Sequence, residues 1–151
     1  MRTVKDIIRS KTPVFNTVTP NTLVIDALNL LNSVNLSYLV VMEGEKYRGI
    51  FCESDYTRNV ILKGRASKTA TVEEVMTTDL PVVELTDTVE HCMYMINSHR
   101  TRYLLAYSDR IFVAVITIHD ILREVIASKE IVFDDELSKE LTDPDKNRRV
   151  Y

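Results

Sequence analysis

Gly49-Ile50-Phe51-Cys52-Glu53-Ser54-Asp55-Tyr56 returns 65 positions later as Ala114-Val115-Ile116-Thr117-Ile118-His119-Asp120-Ile121. Each segment runs from an apolar stretch through a short polar step to an Asp. Outward from it the correspondence continues, Leu31-Asn32-Ser33 with Ile96-Asn97-Ser98, Tyr38-Leu39 with Tyr103-Leu104, Arg58 with Arg123, and Val60-Ile61 with Val125-Ile126. The offset of 65 holds from Val18/Val83 to Ile61/Ile126, then becomes 68 toward the N-terminus, where Val4 pairs with Val72 and Pro13 with Pro81. A three-residue difference in one loop accounts for the change. A correspondence sustained over that span marks a tandem duplication.

Both copies carry the same order of elements. Behind Thr22, a helix N-cap by residue type, Leu23, Val24, Ala27, Leu28, Leu30, Leu31 and Val34 trace an apolar helical face. After Thr88, Val89, Cys92, Met93, Met95 and Ile96 do the same. Two strands with a tight polar turn follow, Tyr38–Met42 and Tyr47–Cys52 around Glu43-Gly44-Glu45, then Tyr103–Ala106 and Ile111–Thr117 around Ser108-Asp109. A closing helix is expected over Asp55–Leu62 and over Asp120–Ala127, and a short strand near Phe15–Val18 and near Pro81–Glu84. The expected fold is α+β, two tandem β-α-β-β-α units that bury their sheet faces against each other about a pseudo-twofold axis, with an equivalent cleft on each side. The repeats are placed at 3–62 and 72–127, with a polar, basic linker over 63–71 and a C-terminal tail over 128–151.

Composition narrows the class. Of 151 residues, 45% are hydrophobic, 27% charged and 7% aromatic, and Gly and Pro number only three and four. The chain is too apolar for disorder and too poor in Gly and Pro for a fibrous protein. Nineteen basic against 22 acidic residues give a net charge of -3, which argues against a nucleic-acid partner. No apolar run is long enough for a membrane span, and the start lacks a signal peptide's pattern. Cys52 and Cys92 could pair in a secreted chain, but they read as buried free thiols, and the expected location is cytoplasmic.

The two strand-to-helix junctions resemble the Gly-Ile-x-Thr/Ser-x-x-Asp signature of cystathionine-β-synthase (CBS) domains, and the duplicated layout resembles the CBS pair, or Bateman module, in its small, free-standing bacterial form. The linker Gly64-Arg65-Ala66-Ser67-Lys68 and Asp55-Tyr56-Thr57-Arg58 are similar to that subgroup. The resemblance implies a non-catalytic module that binds an adenine ligand (AMP, ATP, NAD or S-adenosylmethionine) in its clefts and signals to a regulated protein. In the family the Asp takes the ribose hydroxyls and the neighbouring Thr/Ser contacts phosphate. A carboxylate can accept from both hydroxyls of a vicinal diol, and the free amides of a helix's first turn favour a phosphate.

Carried over by position, one site comprises Cys52 and Asp55, with Leu80, Pro81 and Val82 opposite, Arg102 near phosphate, and Arg65 and Lys68 from the linker. The other comprises Thr117 and Asp120, with Phe15, Asn16 and Thr17 opposite and Ser37 in the basic position. The departures are Cys52 for a hydroxyl residue, Ser54 for an Arg, Ala114 for Gly, and His119 for a small residue. The first site thus keeps cations and lacks the hydroxyl, whereas the second keeps the hydroxyl and lacks the cations, which favours the first for a phosphorylated ligand.

Other readings bear on the same residues. Asp55 and Asp120 each begin a helix and would serve as caps there without any ligand. A CBS-pair scaffold with degenerate sites is the alternative function. An enzyme is not expected, because paired catalytic carboxylates, a metal cluster and a phosphate-cradling glycine loop are all missing from the sequence. His91, His99 and His119 lack metal-ligand spacing. The resemblance also implies a homodimer formed through helices, with Met93 and Tyr94 among the candidate contacts. In the tail, Ile131, Val132, Leu137 and Leu141 could add an amphipathic turn.

Overall fold

The computed structural model describes residues 1–11 and 16–127. In chain order the elements are α1 (Val4–Arg9), β1 (Thr17–Val18), α2 (Val24–Val34), β2 (Tyr38–Glu43), β3 (Lys46–Cys52), α3 (Glu53–Tyr56) and a π-type helical turn, Thr57–Ile61. They continue with α4 (Val72–Val75), β4 (Val82–Glu84), α5 (Val89–His99), β5 (Tyr103–Ser108), β6 (Ile111–Thr117) and a last helix, α6, over residues 118–127. The architecture is α+β, with two three-stranded sheets ordered β1-β2-β3 and β4-β5-β6. The expected Phe15–Val18 strand begins only at Thr17. Phe15 and the tail residues Ile131, Val132, Leu137 and Leu141 lie outside the described residues.

Two compact units emerge. One is Thr12–Leu80; the other joins Met1–Lys11 to the chain from Pro81 onward. The first unit pairs β1 with β2 in parallel, which a crossover helix permits, and β2 with β3 as a hairpin. Its turn is Gly44-Glu45, where Gly44 takes φ 61°, a left-handed value that glycine adopts without a Cβ penalty. Val24, Ala27 and Leu31 of α2 pack on Leu39, Val41 and Phe51 of the sheet. Ala70, just before the second repeat, and Val72 and Val75, at its beginning, complete that core.

The second unit repeats the plan. β4 pairs in parallel with β5, and β5 pairs antiparallel with β6. Here Asp109 and Arg110 carry the turn, both at positive φ, as a two-residue hairpin with the right-handed strand twist favours. Val4 and Ile7 of α1 are wholly buried among Val83, Cys92, Leu104 and Ile116. The N-terminal helix of the chain therefore serves the core of the second repeat. Arg2 adds an ion pair at 2.8 Å to Glu124, a buried residue of α6.

Helix ends account for the differences from the expected boundaries. Thr22 is not the N-cap of α2: its hydroxyl accepts from the Thr19 amide, and the helix starts at Val24 behind Leu23. Thr88 does cap α5, accepting from the His91 amide at 3.1 Å. Asp55 and Asp120 stand in the first turns of their helices, so these begin at Glu53 and at residue 118, ahead of the expected Asp.

Candidate functional site

Asp55 is 4% exposed and its carboxylate is held from three directions. Oδ2 accepts from the Cys52 amide at 2.9 Å and from the Cys52 thiol at 3.2 Å. Oδ1 accepts from the Thr77 hydroxyl at 2.6 Å. The Cys52 Sγ also lies 2.9 Å from the Ser54 hydroxyl. Thr77 reaches Asp55 because its backbone lies beside β3, where it exchanges two hydrogen bonds with Ile50, at 2.8 and 2.9 Å. That approach needs Gly49: a Cβ there would sit 2.9 Å from the Thr77 carbonyl oxygen and 2.8 Å from Met76 Sδ. The family-type glycine of the first repeat is thus a packing requirement, and its result is a neutral hydroxyl donor on the Asp55 carboxylate.

Asp120, 6% exposed, is built differently. Thr117 and Asp120 bond reciprocally, the Thr117 amide to Asp120 Oδ2 at 2.9 Å and the Asp120 amide to the Thr117 hydroxyl at 3.1 Å, which is the capping-box arrangement. The Thr117 hydroxyl thereby serves the helix cap. Lys11 Nζ donates to Asp120 Oδ2 at 2.7 Å and to the Val115 carbonyl at 2.7 Å. Arg123 Nη1 lies 3.7 Å from Oδ1. The expectation that this site lacks cations is therefore corrected, because two flank the carboxylate. Lys11 carried no signal in the sequence, standing alone after a six-residue helix. Thr77 likewise lay outside the signature. The Gly49/Ala114 difference was the visible clue to both.

Other residues expected at the sites fall as follows. Cys52, Asp55, Arg65, Lys68, Leu80, Asn16, Thr17 and Ser37 belong to the first unit, and Pro81, Val82, Arg102, Thr117 and Asp120 to the second. Asn16 and Pro81 hold matched places, their carbonyls accepting from the Val40 and Leu105 amides at 3.0 Å. The Arg65 guanidinium donates to the Asn59 carbonyl at 2.7 Å and lies 3.9 Å from Glu74. Lys68, Thr17, Ser37 and Val82 are exposed, as is Arg102; the Arg102 carbonyl accepts from the Ile118 amide at the start of α6.

The cysteines are free and buried. Burial pushes both thiols up from their ordinary value, Cys92 to about 11. For Cys52 the neighbouring Asp55 charge acts in the same direction, while the Ser54 hydroxyl opposes it. Both are neutral at physiological pH, so Cys52 can act as a weak donor and is a poor nucleophile. Among the described residues no helix is long and apolar enough to cross a membrane, and no group of three or more His, Cys, Asp or Glu could hold a metal.

Comparison with known proteins places these features. The family model described as the CBS domain matches twice, at residues 4–61 and 72–127. A structure of a protein with CBS domains from Burkholderia ambifaria MC40-6 is 35% identical, covering 83% of this chain and 94% of that one, with a TM-score of 0.76. The structure of CBSX2 in complex with AMP is 25% identical, covering 85% and 99%, with a TM-score of 0.71. A curated relative, the mitochondrial CBS domain-containing protein CBSX3 of Arabidopsis thaliana, is 29% identical over 108 residues, 68% of this chain and 52% of the relative. The chain spans about half the length of that relative.

Proposed function

Because the chain belongs to the CBS-domain family and carries the domain twice in tandem, we propose that it is a regulatory, non-catalytic module that binds an adenine nucleotide. The carrying observation is the pair of buried carboxylates, Asp55 and Asp120, each in the first turn of a helix that follows the long hairpin strand. Such a carboxylate can accept the two hydroxyls of a ribose, and the amides of the same first turn suit a phosphate. The complex of CBSX2 with AMP supports the ligand class. Leu80, Pro81, Val82, Arg102, Arg65 and Lys68 are proposed to serve the ligand of Asp55. Asn16, Thr17, Phe15 and Ser37 are proposed to serve that of Asp120, beside Thr117.

Signalling follows from differential binding: a ligand that fits one arrangement of the two repeats better stabilises it, and a partner protein reads the arrangement. We further propose a homodimer. Met93 and Tyr94 on α5 are 45% and 66% exposed, and Leu122 and Ile126 on α6 are 48% and 64% exposed. Between those two helices lies a cavity of about 320 Å³ lined by Met93, Ile96, Ile118, Ile121 and Leu122, among others. An apolar face of this kind suits burial against a second copy. The test is titration calorimetry and thermal shift with AMP, ATP, NAD and S-adenosylmethionine. Saturable binding by at least one supports the proposal. No heat and no shift with any of them, in a folded dimer, makes the chain a ligand-free scaffold.

A further inference from the structure

The two carboxylates face chemically different partners at equivalent positions, and a glycine stands beside one where an alanine stands beside the other. Ile50 and Val115 correspond in the duplication. The Ile50 carbonyl accepts the Thr77 amide, whereas the Val115 carbonyl accepts the Lys11 ammonium. Beside Ile50 stands Gly49, where a Cβ would meet the Thr77 carbonyl at 2.9 Å. Beside Val115 stands Ala114, which carries that Cβ. Arg9, the residue corresponding to Thr77, forms no backbone bridge to Val115 among the described residues. Lys11 spans the position instead, its ammonium joining the Val115 carbonyl to Asp120 Oδ2. The ammonium is strongly held, since both contacts are short and the Lys11 side chain is 20% exposed.

On the reading that Asp55 and Asp120 are the ribose acceptors, we propose that Lys11 is an internal counter-ion that occupies Asp120 and closes the second repeat's site to a diol. A ribose hydroxyl arriving at Asp55 displaces a neutral hydroxyl, one donor exchanged for another of the same kind. At Asp120 it must displace an ammonium whose charge it cannot replace. The two sites are therefore unequal, Asp55 filling first and Asp120 only when Lys11 is drawn off.

The test reads the Asp120 site alone, by AMP titration in the Asp55→Asn chain with and without Lys11→Met. Methionine keeps the aliphatic stem and removes the charge. The expected result is AMP affinity about tenfold or more tighter in the double variant. Equal or weaker affinity in the double variant, while the unsubstituted chain binds AMP, overturns this inference alone and makes Lys11 at most a helper of the nucleotide. Failure of the unsubstituted chain and of Lys11→Met to bind any of AMP, ATP, NAD and S-adenosylmethionine overturns the nucleotide reading, and this inference with it. A second measurement needs no nucleotide. Melting of Lys11→Met, Asp120→Asn and the two combined should be non-additive; strict additivity overturns the contact itself.

Discussion

Gly49→Ala isolates the contact that sets the two repeats apart. The new Cβ would lie 2.8 Å from Met76 Sδ, which a flexible side chain can relieve, and 2.9 Å from the Thr77 carbonyl oxygen, which only a backbone shift can relieve. That shift breaks the two Ile50–Thr77 hydrogen bonds and draws the Thr77 hydroxyl away from Asp55. Two backbone bonds at about 1 kcal/mol each and one bond to a carboxylate at about 1.5–3 kcal/mol set the ceiling. With water restoring part of the loss, the expected cost is about 2–4 kcal/mol. For a chain of this size that lowers Tm by about 6–12 °C. Differential scanning calorimetry of the purified variant measures it directly. A Tm within about 2 °C of the unsubstituted chain would refute the argument that glycine is required for the approach of Thr77, and with it the explanation of the Lys11 contact.

Further expectations rest on other residues. Thr77→Val removes the 2.6 Å donor to Asp55 Oδ1 and should destabilise by about 1.5–3 kcal/mol in a urea titration; an unchanged midpoint would contradict the contact. Arg100 holds the left-handed C-cap of α5 at φ 49°, so Arg100→Gly should raise stability by about 0.5–1 kcal/mol, and a lower Tm would contradict it. Burial raises the Cys92 thiol to about 11 from 9.0. Below pH 9 the thiol is protonated in both states and stability is unaffected; between about pH 9 and 11 the unfolded chain ionises first, so stability falls. Cys92→Ala should make the urea midpoint flatter over that window, and an unchanged slope would refute the assignment. Neither thiol should react with a disulfide reagent at pH 7.5 until urea is added, and rapid labelling of the native chain would contradict their burial.

The duplication, both hairpins and the long helices α2 and α5 were legible because each announces itself locally. Val40, Val41, Ile50 and Phe51 alternate or run apolar over enough residues to declare strands, and α2 presents three helical turns of apolar spacing. The six-residue α1 and four-residue α4 hold too few turns for a period to show. Their apolar residues, Val4, Ile7, Val72 and Val75, declare their purpose only in the cores they complete. The two Asp were legible as a matched pair. Their partners were not, since Thr77 and Lys11 lie 22 and 109 positions away from the carboxylates they bond. The capping reading and the ligand reading of these Asp also share a geometry: the carboxylate that caps the first turn is the one a ribose would engage.

Whether Asp55 receives an adenine nucleotide is read by titrating the unsubstituted chain and Asp55→Asn with AMP, ATP, NAD and S-adenosylmethionine. Asparagine keeps an acceptor for the Cys52 amide while removing the charge, and melting of both chains shows whether each is folded. Saturable binding of at least one of them by the unsubstituted chain is expected, with affinity weakened about tenfold or more in Asp55→Asn. A folded unsubstituted chain that takes up none of the four, or a folded Asp55→Asn chain that binds the ligand equally well, would contradict that reading.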